Sequence, residues 1–163
     1  MADPRKKAGV LRVEAALRDA GFDNRIVALT ETARSAEEAA AALGVEVAQI
    51  VKSLVFRVAE TEDFILIVAS GVNRVDEARV ASLLGAAPER PDARSVKEKT
   101  GYSIGGVPPV GHTEKLRTFV DRDLFGHAEV WAAAGHTHAV FPCTPDELVR
   151  MTNGEVVRVR ADT

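Results

Sequence analysis

Two features of the sequence combine residue types that can do chemistry: a segment rich in glycine and proline, and a lysine within a predicted strand. Residues 101–112 hold four glycines and two prolines. Glycine permits backbone angles closed to other residues and lets a ligand approach the main chain, while proline fixes its own backbone angle. The segment therefore suits a stiff loop that presents backbone amides to a ligand. A long connector between two strands fits the same composition.

The lysine is Lys52, which lies in a stretch that alternates like a strand over residues 51–58. The alternation places Lys52 on the same face as Leu54 and Phe56. A charged group on an apolar face is costly unless its stem lets it reach water or it meets an anion. Beside a loop of glycine and proline, the second interpretation gains weight, and Lys52 is predicted to bind an anion.

Composition and charge exclude several classes of protein. The chain has 163 residues, 46% hydrophobic and 28% charged, as expected of one globular domain. A formal net charge of −3 disfavours a broad basic face but is compatible with contact to the end of a nucleic acid. The single Cys143 cannot form an internal disulfide, and neither a signal core nor a bilayer-spanning run is present. We therefore expect a cytoplasmic protein.

Residues 1–163 are predicted to form a single domain, with a core over about residues 25–160 and an N-terminal helix over about residues 9–20. Ser35 and Thr144 each begin a capping box, the pattern that starts a helix. Helices are predicted over 10–20, 35–44, 76–84, 92–100 and 144–153, and strands over 25–29, 52–58, 64–69, 118–121, 129–133, 139–141 and 155–159. This order predicts an α+β (mixed α/β) fold, in which helices flank a mixed, partly closed β-sheet or barrel.

Other candidate residues admit more than one interpretation. His136 and His138 would share a strand face, as in some metal sites, but a polar turn between strands is favoured over a metal site. One of these histidines could equally orient a substrate.

Cys143 is interpreted as a small buried residue rather than a nucleophile. Asp121 could bind a substrate group, orient a loop amide or simply end a strand. Further metal ligands are available by type, but their spacing is not diagnostic: His112, His127, Glu129 and Glu147. No metal and no cofactor are predicted.

The segment Thr100–Gly111 resembles a known family when it is taken with Val51–Phe56 upstream and Val130–Gly135 downstream. The combination is similar to the YbaK and prolyl-tRNA synthetase insertion-domain family of aminoacyl-tRNA editing proteins. The likeness covers roughly residues 35–152, with the elements in the family's order. It implies a YbaK-like editing domain.

The resemblance implies a free-standing hydrolase that acts on aminoacyl-tRNA in trans. Such a deacylase cleaves the ester of a small mischarged amino acid at the 3′ end of a tRNA, most often tRNA for proline, with a terminal hydroxyl of the tRNA assisting. The family's catalytic positions fall on Lys52, Gly105, Gly106 and Pro109, where the lysine engages the terminal adenosine and the loop positions the aminoacyl group and water. The positions assigned to substrate binding are Gly135, His138, Asp121 and His112.

The sequence leaves the substrate and the partners open. His112 stands where some relatives have glutamine, so the edited amino acid is not fixed. The expected partner is the acceptor end of aminoacyl-tRNA, with prolyl-tRNA synthetase or an elongation factor as a second candidate. No heptad pattern or long apolar stripe is present, which favours a monomer. The alternative is a module of the same fold that binds tRNA or a synthetase without catalysis.

Overall fold

The computed structural model describes residues 3–31 and 33–161. Within those residues the helices are α1 (Ala8–Asp19), α2 (Ala36–Leu43), α3 (Glu77–Leu84), α4 (Ala93–Thr100) and α5 (Pro145–Thr152). The strands are β1 (Val27–Ala28), β2 (Val51–Val58), β3 (Phe64–Ser70), β4 (Pro88–Glu89), β5 (Arg117–Asp121), β6 (Val130–His136), β7 (Ala139–Cys143) and β8 (Glu155–Val157).

Local sequence signals determine where the helices begin and end. Ser35 and Thr144 form the expected capping boxes at the starts of α2 and α5. The helices α2, α3 and α4 end at Gly44, Gly85 and Gly101, whose φ angles of 69°, 75° and 87° lie in the left-handed region that glycine adopts at low cost. The predicted helices are therefore confirmed to within about two residues at each end.

The strands form two sheets. A mixed five-stranded sheet has the order β4-β2-β3-β5-β8, with β2 and β3 as an antiparallel hairpin and the β3–β5 and β5–β8 pairs parallel. An antiparallel sheet has the order β1-β7-β6. A parallel bridge between Ile50 and Trp131 joins the two sheets. The predicted mixed, partly closed sheet flanked by helices is thus confirmed, and the sheets separate beyond this bridge.

The core lies on both faces of β3, whose seven residues are all buried. Leu66 and Val68 pack with α1 and the inner face of the small sheet, whereas Ile65 and Ile67 pack with Val80 of α3. An uninterrupted apolar run is what a strand covered on both faces requires. This rigid centre carries β2, and with it Lys52, as the partner strand of β3.

The first predicted strand is shorter in the structure. A strand over residues 25–29 is reduced to Val27–Ala28, paired with Val140 and Ala139 of β7. Continuing this pairing backwards would place residue 25 opposite Pro142, which has no N–H to donate. At the other end, Leu29 donates its N–H to the carbonyl of His138 in the turn before β7, at 2.8 Å. The two-residue strand β4 was not predicted from the sequence.

Candidate active site

A cleft of about 420 Å³ opens where the two sheets separate. Most of its lining comes from the start of α2, the first half of β2, the glycine–proline loop and the middle of β6, and Gly71 and Val140 complete it. The lining side chains are mostly small or apolar, and they include Ala33, Ala36, Ala39, Ile50, Val51, Leu54, Val107, Trp131, Ala132, Ala133 and Val140. The charged side chains on the lining are Arg34, Glu37 and Lys52. The cleft therefore suits a compact ligand that is partly apolar and carries a polar or anionic group.

One edge of β2 is open beside the cleft. At the end of β2, Arg57 and Val58 pair with β4 on that edge. Just before β2 begins, Ile50 forms a bridge with Trp131. In the described part of the chain, the stretch between these two contacts has no strand partner on that edge. The separation of the sheets thus leaves strand backbone next to the space that a ligand would fill.

Lys52 lies on the cleft lining, as the sequence predicts. Its Nζ donates a hydrogen bond of 2.6 Å to the carbonyl oxygen of Asn73. Burial lowers the pKa of Lys52, the carboxylates of Glu37 and Asp121 oppose that effect, and the guanidinium of Arg74 reinforces it. An ammonium has three N–H donors, and among the described residues only the carbonyl of Asn73 accepts from this one. Lys52 can therefore bind an anionic or carbonyl oxygen of a ligand.

A buried hydrogen-bond network fixes the residue that holds Lys52. The Nδ2 of Asn73 donates to Asp121 Oδ2 at 2.8 Å and to Asp123 Oδ2 at 2.9 Å. Asp121 also accepts from the backbone N–H of Ser70 at 3.0 Å and of Asp123 at 2.9 Å. Asp121 is 1% exposed and lies outside the set of residues that line the cleft. Of the roles open to Asp121, the structure supports that of orienting a loop, through Asn73.

Two residues of this neighbourhood escaped the sequence analysis, Asn73 and Arg34. Asn73 lies in the segment Gly71–Arg74, directly after a buried strand. A polar residue at the end of a buried strand is the sequence feature that could have identified it. Arg34 precedes the cap of α2, and its side chain packs beside the loop, because a Cβ atom built on Gly105 would lie 3.1 Å from Arg34 Cγ. Arg34 has no acidic partner among the described residues, so its charge is available to a ligand.

The loop presents its first half to the cleft. Gly105, with a φ angle of 97°, lines the cleft together with Ile104 and Val107. A Cβ atom on Gly106 would lie only 3.2 Å from the backbone of His136, so this glycine lets the loop rest directly on the end of β6. The predicted positions Lys52 and Gly105 thus come together on one cleft, and Gly106 supports the loop from the side of β6.

Pro109 and His112 lie behind the loop rather than in the cleft. Both line a smaller cavity of about 180 Å³, on the side of α1 and β5. His112 Nε2 is 2.6 Å from the carbonyl oxygen of Pro108. Burial lowers the pKa of His112, although its hydrogen bond to Pro108 opposes that shift. In its neutral form with the proton on Nε2, this ring donates to Pro108 and fastens the second half of the loop.

Gly135 and His138 are placed away from the cleft lining. Gly135 has a φ angle of 89° and faces α1, where a Cβ atom would lie 2.6 Å from the carbonyl oxygen of Gly9. His138 lies in the turn after β6, and its backbone N–H donates to His136 Nδ1 at 3.0 Å. His136 thus ends β6, and His138 lies in the polar turn that follows. Within residues 3–31 and 33–161, no three His, Cys, Asp or Glu side chains form a group that could hold a metal ion.

Cys143 is 3% exposed at the end of β7. Burial raises its pKa to about 12, and the nearby carboxylates of Glu147 and Glu129 contribute in the same direction. A thiol with such a pKa is almost wholly protonated near neutral pH, whereas the thiolate is the nucleophile. Cys143 therefore acts as a small buried side chain.

No helix in the described residues is both long enough and apolar enough to cross a membrane.

Comparison with known proteins gives a consistent set of likenesses. The family model described as "Aminoacyl-tRNA editing domain" matches residues 30–151. The chain is 31% identical to "Uncharacterized protein YwhH" of Bacillus subtilis over 134 residues, which cover 82% of this chain and 85% of that protein. It is 26% identical to the "Putative Cys-tRNA(Pro)/Cys-tRNA(Cys) deacylase EbsC" of Enterococcus faecalis, covering 81% of this chain and 80% of that protein.

A solved structure resembles the whole fold. It is described as "Crystal structure of a putative trans-editing enzyme for prolyl tRNA synthetase", and it superposes with a TM-score of 0.90 at 41% sequence identity. The likeness covers 96% of this chain and 99% of that one, so it includes α1 as well as the residues that the family model matches.

Proposed function

We propose that this chain, which belongs to the aminoacyl-tRNA editing domain family, is a deacylase that hydrolyses the ester of a small mischarged amino acid on tRNA. We take tRNA for proline as the substrate and proofreading in trans as the mode of action. One observation carries the proposal: an ammonium with free N–H groups and a loop of exposed backbone meet on one compact cleft.

The proposed reaction uses water as the nucleophile. Water adds to the carbonyl carbon of the ester, the bond from that carbon to the ribose oxygen breaks, and the ribose oxygen takes up a proton. Loop amides next to Gly105 would stabilise the negative charge that develops on the carbonyl oxygen. Lys52 would hold an oxygen of the terminal nucleotide, and a hydroxyl of that nucleotide would assist the attack. This division of roles requires neither a cysteine nucleophile nor a bound cofactor.

The size of the cleft supports a small amino acid as the target. A synthetase discriminates by only about 1–3 kcal/mol per methylene group, so small noncognate residues need a second site for their removal. A volume of about 420 Å³ must take both the amino acid and part of the terminal nucleotide. Alanine, cysteine, serine and threonine all remain candidates.

The relatives support the choice of tRNA. The EbsC protein of Enterococcus faecalis carries Cys-tRNA(Pro) in its name, and the similar crystal structure is described as a trans-editing enzyme for prolyl tRNA synthetase. The second candidate is a module that binds charged tRNA, or a synthetase, without cleaving the ester. The observation that favours it is that, among the described residues, the cleft lining holds no histidine and no cysteine. Measuring turnover separates this candidate from the first.

The deciding experiment measures ester hydrolysis on tRNA for proline charged separately with alanine, cysteine, serine, threonine and proline. We expect the wild type to cleave at least one small noncognate ester and to spare prolyl-tRNA. Lys52→Ala should abolish that cleavage, because the anchor for the terminal nucleotide is lost. Lys6→Ala, which removes an exposed lysine that does not line the cleft, serves as the matched control and should retain full activity.

Two outcomes would contradict the proposal. If the wild type binds charged tRNA but cleaves none of the five esters, the binding module replaces the deacylase. If Lys52→Ala cleaves as fast as the wild type, hydrolysis does not depend on the cleft that Lys52 lines.

A further inference from the structure

We infer that Tyr102, seated against α1, is the positioning residue that holds the glycine–proline loop in its working shape. The inference rests on the proposed function, because it names what keeps the backbone of the loop aimed at the ester. Tyr102 does not line the cleft. It acts through the loop, from behind.

The loop has little backbone hydrogen bonding of its own. Among the described residues, the one backbone–backbone bond made within residues 103–111 runs from the N–H of Gly106 to the carbonyl of Ser103, at 3.1 Å. Pro108 and Pro109 have no N–H to contribute. A segment without a hydrogen-bonded ladder keeps one conformation only if side chains hold it in place. Val107 and Val110 do so through burial in the core, and Tyr102 does so through hydrogen bonding as well.

The hydroxyl of Tyr102 joins the two ends of the loop. Tyr102 is 2% exposed at the start of the loop, and its Oη donates to the carbonyl oxygen of Gly111 at 2.9 Å, nine residues later. Gly111 has a φ angle of 81°, and a Cβ atom there would lie 2.9 Å from the same Oη. The close approach therefore depends on glycine at one end and on a phenol hydroxyl at the other.

The ring of Tyr102 is held between α1 and the end of β6. A Cβ atom built on Gly9 would lie 3.6 Å from the Tyr102 ring, and one built on Gly135 would lie 3.1 Å from it. The guanidinium carbon of Arg12 lies 4.6 Å from the ring centroid, and Arg12 Nη2 donates to the carbonyl of Gly101 at 3.1 Å. Helix α1 precedes the residues that the family model matches, yet it forms the seat of this ring.

His112 provides a second contact that holds the loop from behind. His112 fastens Pro108 through Nε2, and its ring lies 6.3 Å from that of Tyr102 in an edge-on arrangement. Since neither ring lines the cleft, loosening this support should displace the amides near Gly105 while leaving Lys52 in place. The expected signature is a loss of turnover with little change in substrate binding.

The test is Tyr102→Phe, which keeps the ring and removes only the hydroxyl. We expect kcat for the cleaved ester to fall about tenfold, because small displacements of positioned groups slow reactions strongly, and KM to stay within about twofold. Hydrogen exchange of the Gly106 amide, which is hydrogen-bonded to Ser103 within the loop, should become faster, while exchange in β3 should not change. Thr118→Val is the control, because it removes a buried hydroxyl that binds the carbonyl of Leu116, at 3.0 Å, outside the loop.

Unchanged kcat and unchanged exchange of the Gly106 amide in Tyr102→Phe would overturn the inference. A slower reaction without faster exchange would overturn it as well, because the hydroxyl would then act by some route other than the shape of the loop. If the wild type cleaves no ester at all, the proposed function fails, and amide exchange alone decides whether Tyr102 holds the loop.

Discussion

Among the single residues of the cleft, Lys52 bears a charge that its surroundings disfavour. Burial holds its folded-state pKa below the ordinary value of 10.5. A base whose pKa is lowered by folding makes the folded state less stable wherever the base is charged, and that cost disappears as the pH rises from the folded to the unfolded pKa. A lysine that lowers stability in this way is expected where its charge is needed to bind a ligand.

Lys52→Met should therefore leave the free energy of unfolding at pH 7 unchanged or higher, while abolishing hydrolysis. As the pH rises towards 10.5, the wild type should gain stability relative to the methionine variant, because the ammonium loses its charge more readily in the folded state. Urea unfolding of both proteins at pH 7 and pH 10 measures the difference. A methionine variant clearly less stable than the wild type at pH 7 would show that the hydrogen bond to Asn73 outweighs the cost of burial.

At the same scale, the sequence identifies some residues of the site and misses others for physical reasons. Lys52 and the loop of residues 101–112 could be predicted because strand alternation and glycine–proline composition are local patterns, and the family resemblance singled out Gly105 within that loop. Asn73 and Arg34 could not, since their contacts join segments far apart in the chain. The position of His112 depends on the path of a loop with several left-handed glycines, and composition does not determine that path. The position of Gly135 depends on an irregularity in the pairing of β6 with β7 between Ala133 and His136.

At the scale of elements, the turn after β3 links the buried core to the cleft. Asp121 at the end of β5 accepts hydrogen bonds from Ser70, Asn73 and Asp123, and Asn73 in turn accepts from Lys52. An acceptor of three N–H groups has no place for a donor. The network therefore requires a carboxylate rather than an amide at this position.

Asp121→Asn should lower the free energy of unfolding by about 1–3 kcal/mol, because a buried carboxylate with three donors is replaced by a group that is itself half donor. It should also lower kcat/KM, since the carbonyl that holds Lys52 is no longer fixed. Thermal unfolding and ester hydrolysis measure the two effects. Asp123→Asn is the matched control. Asp123 is more exposed, accepts a hydrogen bond from Asn73 and forms an ion pair with Arg160, so this substitution should lower both stability and kcat/KM by less.

Elements themselves could be predicted well where the signal is local, as at the capping boxes of Ser35 and Thr144. Which strands pair with each other was harder to predict from the sequence. The parallel alignment of β8 with β5 joins residues more than thirty positions apart, and the short strand at Pro88–Glu89 carries no alternation that could identify it. Sequence patterns describe what a segment prefers, whereas the partner of a strand is decided by the packing of the whole sheet.

At the scale of the whole molecule, the distribution of charge limits how tRNA is held. The chain carries a formal net charge of −3, yet Lys52, Arg34 and Arg74 lie at or near the cleft. Contacts with two or three phosphates of a single-stranded end correspond to a slope of about −2 in a plot of log affinity against log salt. For the proposed tRNA substrate, we therefore expect the attraction to be confined to the acceptor end.

We expect log kcat/KM for the cleaved ester to fall with log salt at a slope of about −2, and Arg34→Ala to make that slope shallower by about 0.7. Rates at subsaturating substrate between low and physiological salt provide the measurement. Arg94→Ala, which removes an exposed arginine paired with Glu98 on α4, should leave the slope unchanged. A wild-type slope steeper than about −4 would mean that phosphates beyond the acceptor end are bound.

The open edge of β2 bears on whether copies of this protein can associate through their sheets. Unpaired strand edges invite strands of neighbouring molecules to add to a sheet, and β3, next to β2, has an apolar sequence prone to aggregate. Here the open edge of β2 lies beside a concave cleft, flanked by Lys52 and Arg34. The outer edges of the large sheet end in the two-residue β4, which begins with a proline, and the three-residue β8. The geometry proposed to admit the end of a nucleic-acid strand should therefore also hinder a second copy of this chain from extending the sheet.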